Sequence, residues 1–496
     1  MKYLLLLLPL FLSATEDDFS DSPINNGIDD FIEELTLEPS VTEHSYSCGG
    51  VTFDYQAVAG ICPILAGTGE KIASFFYVAY FAKEGDSEER PITFIFPGGP
   101  GGSCAAEILS TVGPRRLQFP KEGKRLLPPY RIIDNPQTLL RETDLVFIDP
   151  AAVGYSKVHP TAEGLICSEL FSTEGDIVAL GQFIHNFLSN YERWNSPKYL
   201  AGISYGGFRS LGLAQHLLNY DISLHGLVLL SPVIDYATVL SQNNQFLADA
   251  LFLPTCAATA WHYKRLWPDR PLTEVVEHAK RFCYDAYLPS LLQPKRLTAS
   301  SRKTLYQEIA KLSGLDEEVI HRYSGRLCEE DYTKEFFLKE RRRLGGLDTR
   351  YSSDWGNRGE WEIDPSYQDM QGLASAFRHY LKKELNLFAP LMQYIIFNYL
   401  PWDFRTYDSY AWPDFVQRLQ RTLIYNPEMK LFVGCGYYDC RTPFSATEYC
   451  LDHLDIPASY RNNICMTYYP AGHGFVFDLP SLKKLQNDLR SFLAPK

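Results

Sequence analysis

Short apolar runs, separated by segments with helical spacing, recur along this chain from about residue 90 onward. The runs are Ile92–Phe96, Leu145–Ile148, Tyr199–Ala201, Leu227–Leu230, Leu431–Val433 and Ile464–Tyr469. Helical patterns fall near Asp176–Tyr191, Phe208–Leu218 and Leu482–Phe492. Runs that are apolar at successive positions suit strands covered on both faces, so the pattern predicts an α/β fold with a mostly parallel central sheet flanked by helices. Ahead of them, two β-rich stretches around Ser45–Ala57 and Ile72–Phe81 predict an antiparallel opening to the same sheet.

One interval breaks the rhythm. Between Leu230 and Leu431 the patterns are dominated by helices, as in "LTEVVEHAKRFCYDAYLPSLL" and "YQDMQGLASAFRHYLKKEL". The spacing predicts a mainly helical cap insertion over residues 240–428, lying on the carboxyl edge of the sheet where open α/β sheets bind ligands. Residues 44–239 and 429–496 then form the core. No internal repeat or low-complexity tract interrupts this plan.

The N-terminus "MKYLLLLLPLFLSATEDD" combines a lysine, an apolar stretch from Tyr3 to Leu12 and small residues before an acidic patch. That is the pattern of a secretory signal peptide over residues 1–14, which predicts an extracytoplasmic protein, periplasmic or secreted. The stretch is too short for a membrane anchor, which needs about twenty apolar residues, and nothing else resembles a span, so the chain is not expected to be an integral membrane protein. Residues 15–43 are acidic and aperiodic, a flexible lead-in.

With 496 residues, 45% of them hydrophobic, the chain has ample material for a large core. Its net charge of -13 is uneven: residues 3–70 hold twelve Asp or Glu and no Lys or Arg. Nucleic acid is therefore not an expected partner. The Arg341–Arg343 run is expected on a solvated helix face. Eleven cysteines suit an oxidising compartment, yet their odd number requires at least one outside any intramolecular disulfide. None has zinc-site spacing, and neither a metal nor a cofactor is expected.

The chemistry begins at Gly202-Ile203-Ser204-Tyr205-Gly206, a G-x-S-x-G pentapeptide between an apolar run and a helical pattern. A strand-to-helix turn of that sequence is sharp enough to lift the serine hydroxyl above the sheet. Serine is a weak nucleophile and needs a base and an orienting acid, in this architecture in the order Ser, Asp or Glu, His. His473, in "YYPAGHGFVF", follows the last predicted strand and is preferred as base; His453, in a helical stretch, is expected at the surface or in packing. Asp439, in "LFVGCGYYDCRTPF", is the preferred acid, and Asp235 is its competitor, otherwise a turn or cap residue. The oxyanion formed by serine attack needs two N–H donors. Tyr205 supplies one, and Gly99 is the candidate for the other, because "ITFIFPGGPGGS" places four glycines in five positions at a strand end.

Together, "PGGPGGS", "DLVFIDPAAVGYSK", "RWNSPKYLAGISYGG", "GYYDCRTPF" and "AGHGF" resemble the bacterial branch of the serine carboxypeptidase family, peptidase family S10. The resemblance runs from about residue 90 to the C-terminus and includes "FLADALFLPTCAATAWHYKRLWPD". It implies an α/β-hydrolase fold and removal of C-terminal amino acids from a peptide substrate through an acyl-enzyme. It also assigns Ser204, Asp439 and His473 as catalytic triad, with Gly99 and Tyr205 at the oxyanion hole.

The chain departs from the family where the substrate's terminal carboxylate is bound. The family places an asparagine before the double glycine, a glutamic acid before the serine and another before a Gly-Pro pair; here stand Pro97, Ile203 and Thr111. Each lost hydrogen bond to a charged group is worth about 1.5–3 kcal/mol, so exopeptidase specificity is expected to weaken, leaving an aminopeptidase, an esterase, an acyltransferase or a binding protein on the same scaffold as alternatives. Arg209, Arg115 and Arg116 are candidates to replace the lost recognition. Gly98 and Tyr155 are further candidates to contact substrate, and Cys104 is expected to be structural.

Overall fold

The computed structural model describes residues 39–494, apart from 86–87, 119–127, 161–166, 243–244, 355–363, 367–371, 388–392 and 407–412. The expected signal peptide and almost all of the acidic lead-in lie outside the described residues.

Among the described residues the main sheet has ten strands, nine of them along one path: β1 (Ser40–Cys48), β2 (Val51–Leu65), β3 (Lys71–Ala82), β4 (Ile92–Phe96), β5 (Asp144–Ile148), β6 (Lys198–Ile203), β7 (Gly226–Leu230), β8 (Lys430–Gly436) and β9 (Ile464–Tyr469). Their spatial order is β1-β2-β3-β5-β4-β6-β7-β8-β9, and the short strand Lys157–Val158 pairs with β3. The strands from β5 to β9 in this order are mutually parallel, whereas β1, β2 and β3 pair antiparallel with one another and β3 joins β5 antiparallel. The expected mostly parallel sheet with an antiparallel opening is what the chain forms, and its arrangement is the α/β-hydrolase fold. β4, β5 and β7 are buried at every position, as strands covered on both faces must be.

The opening differs in one respect. The stretch Ser45–Ala57 is not one strand but the meeting of two, joined at Gly49 and Gly50 with Cys48 opposite Val51. Both glycines have positive φ, 60° and 79°, the conformation a two-residue hairpin turn requires.

Each sheet face carries its own apolar core. One packs the helices Thr173–Asn190, Tyr205–Leu218 and Val416–Tyr425; the other packs Leu373–Lys383 and Leu479–Leu493. A third cluster belongs to the inserted region and draws on residues from Ala250 to Leu344, with Cys440 from the core. It is narrower than 240–428, because the helices at 373–383 and 416–425 spend their apolar faces on the sheet. The Arg341–Arg343 run is not a helix face: Arg342–Leu344 pairs with Ser352–Asp354 as a two-stranded ribbon, and Arg343 is buried.

Candidate active site

Strand β6 delivers Ser204 to the carboxyl edge of the sheet, and the helix Tyr205–Leu218 starts at the next residue. Ser204 has φ 58° and ψ -124°, a conformation that residues with side chains seldom adopt. Its N–H donates to Leu230 O at 2.9 Å, and its own carbonyl accepts from Gly207 N at 2.9 Å. A Cβ on Gly202 would stand 2.0 Å from Gly206 O, and one on Gly206 would stand 2.6 Å from Phe96 O. Strand, turn and helix can therefore close this tightly only with hydrogen at both positions.

Asp439 follows β8 and His473 follows β9, so two adjacent parallel strands bring them together. His473 Nδ1 lies 2.8 Å from Asp439 Oδ2. The other Asp439 oxygen accepts backbone N–H bonds from Arg441 at 2.8 Å and Thr442 at 2.9 Å. The Thr442 hydroxyl lies 2.6 Å from Asp439 Oδ2, 3.0 Å from Ser231 O and 3.2 Å from His473 Nδ1. Ser231 Oγ in turn donates to His473 O at 3.1 Å. Both site loops thus converge on Leu230 and Ser231 at the end of β7: Ser204 is bonded to the first, His473 and Thr442 to the second.

The glycine loop lies against the serine. A Cβ on Gly98 would be 3.1 Å from Ser204 Cβ. Gly99 is exposed with φ 120°, where a side chain would also collide with Gly101 N at 2.5 Å. The N–H of Tyr205, at the first helical position, has no intrahelical acceptor and is available to a developing negative charge. The segment after Tyr394 braces this loop: Ser103 N donates to Ile396 O, Asn398 N to Gly101 O, and Trp402 Nε1 to Tyr205 Oη at 3.2 Å.

Other residues singled out in the sequence sit elsewhere or do other work. Arg209 is inside the fold, its Nε 2.6 Å from Asp176 and its Nη1 donating to Pro97 O at 2.8 Å. It braces the glycine loop from behind. Arg115 pairs with Asp134 and Glu384, and buried Arg116 donates to Gln137. Tyr155 is buried, its ring edge-on to Phe76 and Tyr394. Asp235 caps a short 3-10 helix by accepting from Ala237 N, and His453 is at the surface, its Nδ1 2.7 Å from Tyr449 O. Cys104 is buried, and burial drives its thiol well above the ordinary range. None of the eleven cysteines is in a disulfide.

Sequence reasoning missed Thr442, and it missed two buried carboxyls. A threonine three residues after an aspartate has no motif value until the fold turns it back on that aspartate. Glu107 lines an internal cavity of about 40 Å3 with Thr111, Ile203 and apolar residues of β4, β5, β7 and the C-terminal helix. Its Oε2 has no hydrogen-bond partner among the described residues, and burial, reinforced by nearby Asp149, pushes its pKa up to about 8. Asp149 accepts from Cys104 N and Tyr394 Oη, yet burial still raises it to about 7. Thr111 and Ile203, far apart in sequence, thus border one apolar cavity. Among the described residues no group of His, Cys, Asp and Glu is placed to hold a metal ion.

The serine carboxypeptidase profile, peptidase S10, matches residues 64–468. The chain belongs to the serine carboxypeptidase family. A curated relative, a carboxypeptidase Y homolog of Arthroderma benhamiae, is 28% identical over 201 residues, which is 39% of this chain and 36% of that protein. The match spans about a third of that relative's length. Among solved structures, Kex1(delta)p, a prohormone-processing carboxypeptidase from Saccharomyces cerevisiae, aligns with a TM-score of 0.52 at 18% identity, covering 88% of this chain and 91% of that one. At that identity the likeness is one of fold.

Proposed function

We propose that this member of the serine carboxypeptidase family is a serine hydrolase acting on peptides, with Ser204 as nucleophile, His473 as general base and Asp439 as the acid that orients it. The observation that carries this is the 2.8 Å Asp439–His473 pair, tied to Ser231 next to Leu230, the residue that holds the backbone of Ser204. In acylation, Ser204 Oγ bonds to the substrate's carbonyl carbon while its proton passes to His473. The oxyanion lies against the N–H groups of Gly99 and Tyr205. Collapse breaks the scissile bond, with His473 returning the proton to the leaving amine. Water then repeats the sequence on the acyl-enzyme and regenerates the serine. The N-terminal leader pattern supports an extracytoplasmic site of action.

A second reading, hydrolysis of acyl substrates without a free terminal carboxylate, is favoured by the surroundings of Ile203 and Thr111. They border an apolar cavity, and Arg115, Arg116 and Arg209 are each engaged by other groups. A fluorophosphonate probe tests the shared chemistry: labelling lost in Ser204→Ala supports it, and no labelling of the natural protein points to a binding protein. Rates on an N-blocked peptide with a free carboxyl terminus, its amidated form, a free-amino peptide and a simple ester then separate the readings. A strong preference for the free carboxyl form means carboxypeptidase; equal rates on free and amidated forms exclude it.

A further inference from the structure

Five consecutive residues of the inserted region, Gly346 to Arg350, run between the loop of Asp439 and the loop of His473 and are bonded to both. Toward the acid, Cys440 N donates to Gly346 O at 3.1 Å and Thr349 N donates to Tyr438 O at 3.1 Å. Toward the base, His473 N donates to Leu347 O at 2.6 Å and Gly472 N donates to Asp348 Oδ2 at 3.0 Å. Asp348 is gripped by Arg350, whose Nη2 is 2.7 Å from Oδ2 and whose Nε is 3.0 Å from Oδ1. Arg350 Nη1 continues to Pro470 O at 2.9 Å and to Asp478 at 3.2 Å. The approach is close enough that a Cβ on Gly472 would lie 2.3 Å from Leu347 O and 2.4 Å from Asp348 Cβ.

We propose that Asp348 and Arg350 are positioning residues for His473, so that the imidazole is set in place by the inserted region as well as by Asp439. This rests on the roles given above to Ser204 and His473. The main chain of His473 is held on one side by Leu347 and on the other by Ser231. Asp348 fixes the peptide just before it, and Arg350 ties Asp348 to Pro470 and to the cap of the C-terminal helix. A base that must meet a hydroxyl within hydrogen-bond reach loses rate steeply when displaced by a fraction of an ångström to one ångström, whereas binding of the acyl group is barely touched. The carboxylate of Asp348 also makes a charge-assisted bond to an N–H of the base loop, which a merely packed residue would not supply.

The test is inactivation by a fluorophosphonate, resolved into the binding constant KI and the maximal rate kinact, on the full chain. Asp348→Ala is expected to lower kinact at least tenfold with KI within twofold of the natural protein. Asp348→Asn, which keeps an oxygen to accept the Gly472 N–H, recovers at least a third of the lost rate on a logarithmic scale. Arg350→Lys, too short and single-pronged to hold Asp348, Pro470 and Asp478 together, lowers kinact at least threefold and carries the test if Asp348→Ala does not fold. A kinact within twofold of natural in folded Asp348→Ala, or in Arg350→Lys when the alanine variant does not fold, overturns the proposal, as does a loss that appears only in KI. Natural protein that is labelled, with the label lost in Ser204→Ala, keeps the catalytic assignment standing in either case; natural protein that is not labelled removes both.

Discussion

His473 Nδ1 faces Asp439 Oδ2 across 2.8 Å, and the other oxygen of that carboxylate accepts two backbone N–H groups from its own loop. Asp439 has no exposed side-chain surface, so both of its oxygens are committed and the imidazole has one orientation to adopt. In Asp439→Asn the amide group either turns an N–H toward Nδ1 or loses the loop bonds. It is expected to lower kcat on the order of 10³- to 10⁴-fold with little change in KM, measured on an ester substrate at saturating concentration. A loss under tenfold would show that Asp439 does not serve the base.

Thr442 touches the same oxygen. Its hydroxyl lies between Asp439 Oδ2, Ser231 O and His473 Nδ1, all within 3.2 Å. Thr442→Val keeps the shape and removes the one proton that Asp439 Oδ2 and Ser231 O compete for, leaving one of these buried acceptors a bond short. A loss of about 1–1.5 kcal/mol, or roughly tenfold in kcat, is expected. Thr442→Ser restores most of it. Equal rates for the valine variant and the natural protein would confine Thr442 to packing.

How much of this was legible in the sequence depended on range. The strands from β4 to β8 announce themselves because burial on both faces leaves uninterrupted apolar runs, and Ser204 stands out because the turn around it packs Gly202 against Gly206, four residues on. The hairpin at Gly49 and Gly50 carries its signal openly, two glycines between alternating strands, although β-propensity alone runs the two strands together as one stretch. Arg209 and Tyr155 illustrate a different limit. Neither proximity to Ser204 in sequence nor a place in a motif says which way a side chain points: the helix turns Arg209 toward Asp176, and Tyr155 is buried against Phe76 and Tyr394. Glu107 and Asp348 give no such signal, since distant segments complete their surroundings: Ile203, Val228 and the C-terminal helix around the first, the loop of Gly472 beside the second.

The pairing of Arg209 with Asp176 has a consequence opposite to that of a substrate-binding cation. Both side chains are almost wholly buried, so Arg209→Ala strands a carboxylate inside the protein. It is expected to destabilise the fold by about 3–5 kcal/mol in denaturant titration. Replacing both partners, as Arg209→Met with Asp176→Leu, recovers most of that loss. The ratio of rates on free-carboxyl and amidated peptides stays unchanged in folded variants. A selective loss on the free-carboxyl peptide would instead place the guanidinium at the substrate.

Glu107 makes stability depend on pH in a direction unusual for a carboxyl. Burial raises it from an ordinary value of 4.5 to about 8, so the folded chain keeps a proton that the unfolded chain releases. Below the ordinary value both states hold that proton and pH has no leverage. Between there and about 8 the folded state binds more protons, and stability falls as pH rises, by at most about 1.4 kcal/mol per unit for one group. Asp149, raised to about 7, and Asp235, raised to about 6, tilt the curve the same way over shorter ranges. The contribution of Asp235 is common to natural protein and variant and cancels in the difference between the two curves, whereas Asp149, which helps to raise Glu107, is coupled to it, so the difference reports the loss of that coupled carboxyl. Glu107→Gln places a neutral group of nearly the same shape against Thr111 and Ile203, and its stability should run a constant offset from the natural protein's below pH 4.5. From there to pH 8 the variant gains steadily on the natural protein, and above that the gap stops widening. Denaturant unfolding at half-unit steps from pH 4 to 9 measures this directly; parallel curves across the whole range would mean that Glu107 is ionised in the folded protein and that the cavity admits enough water to solvate it.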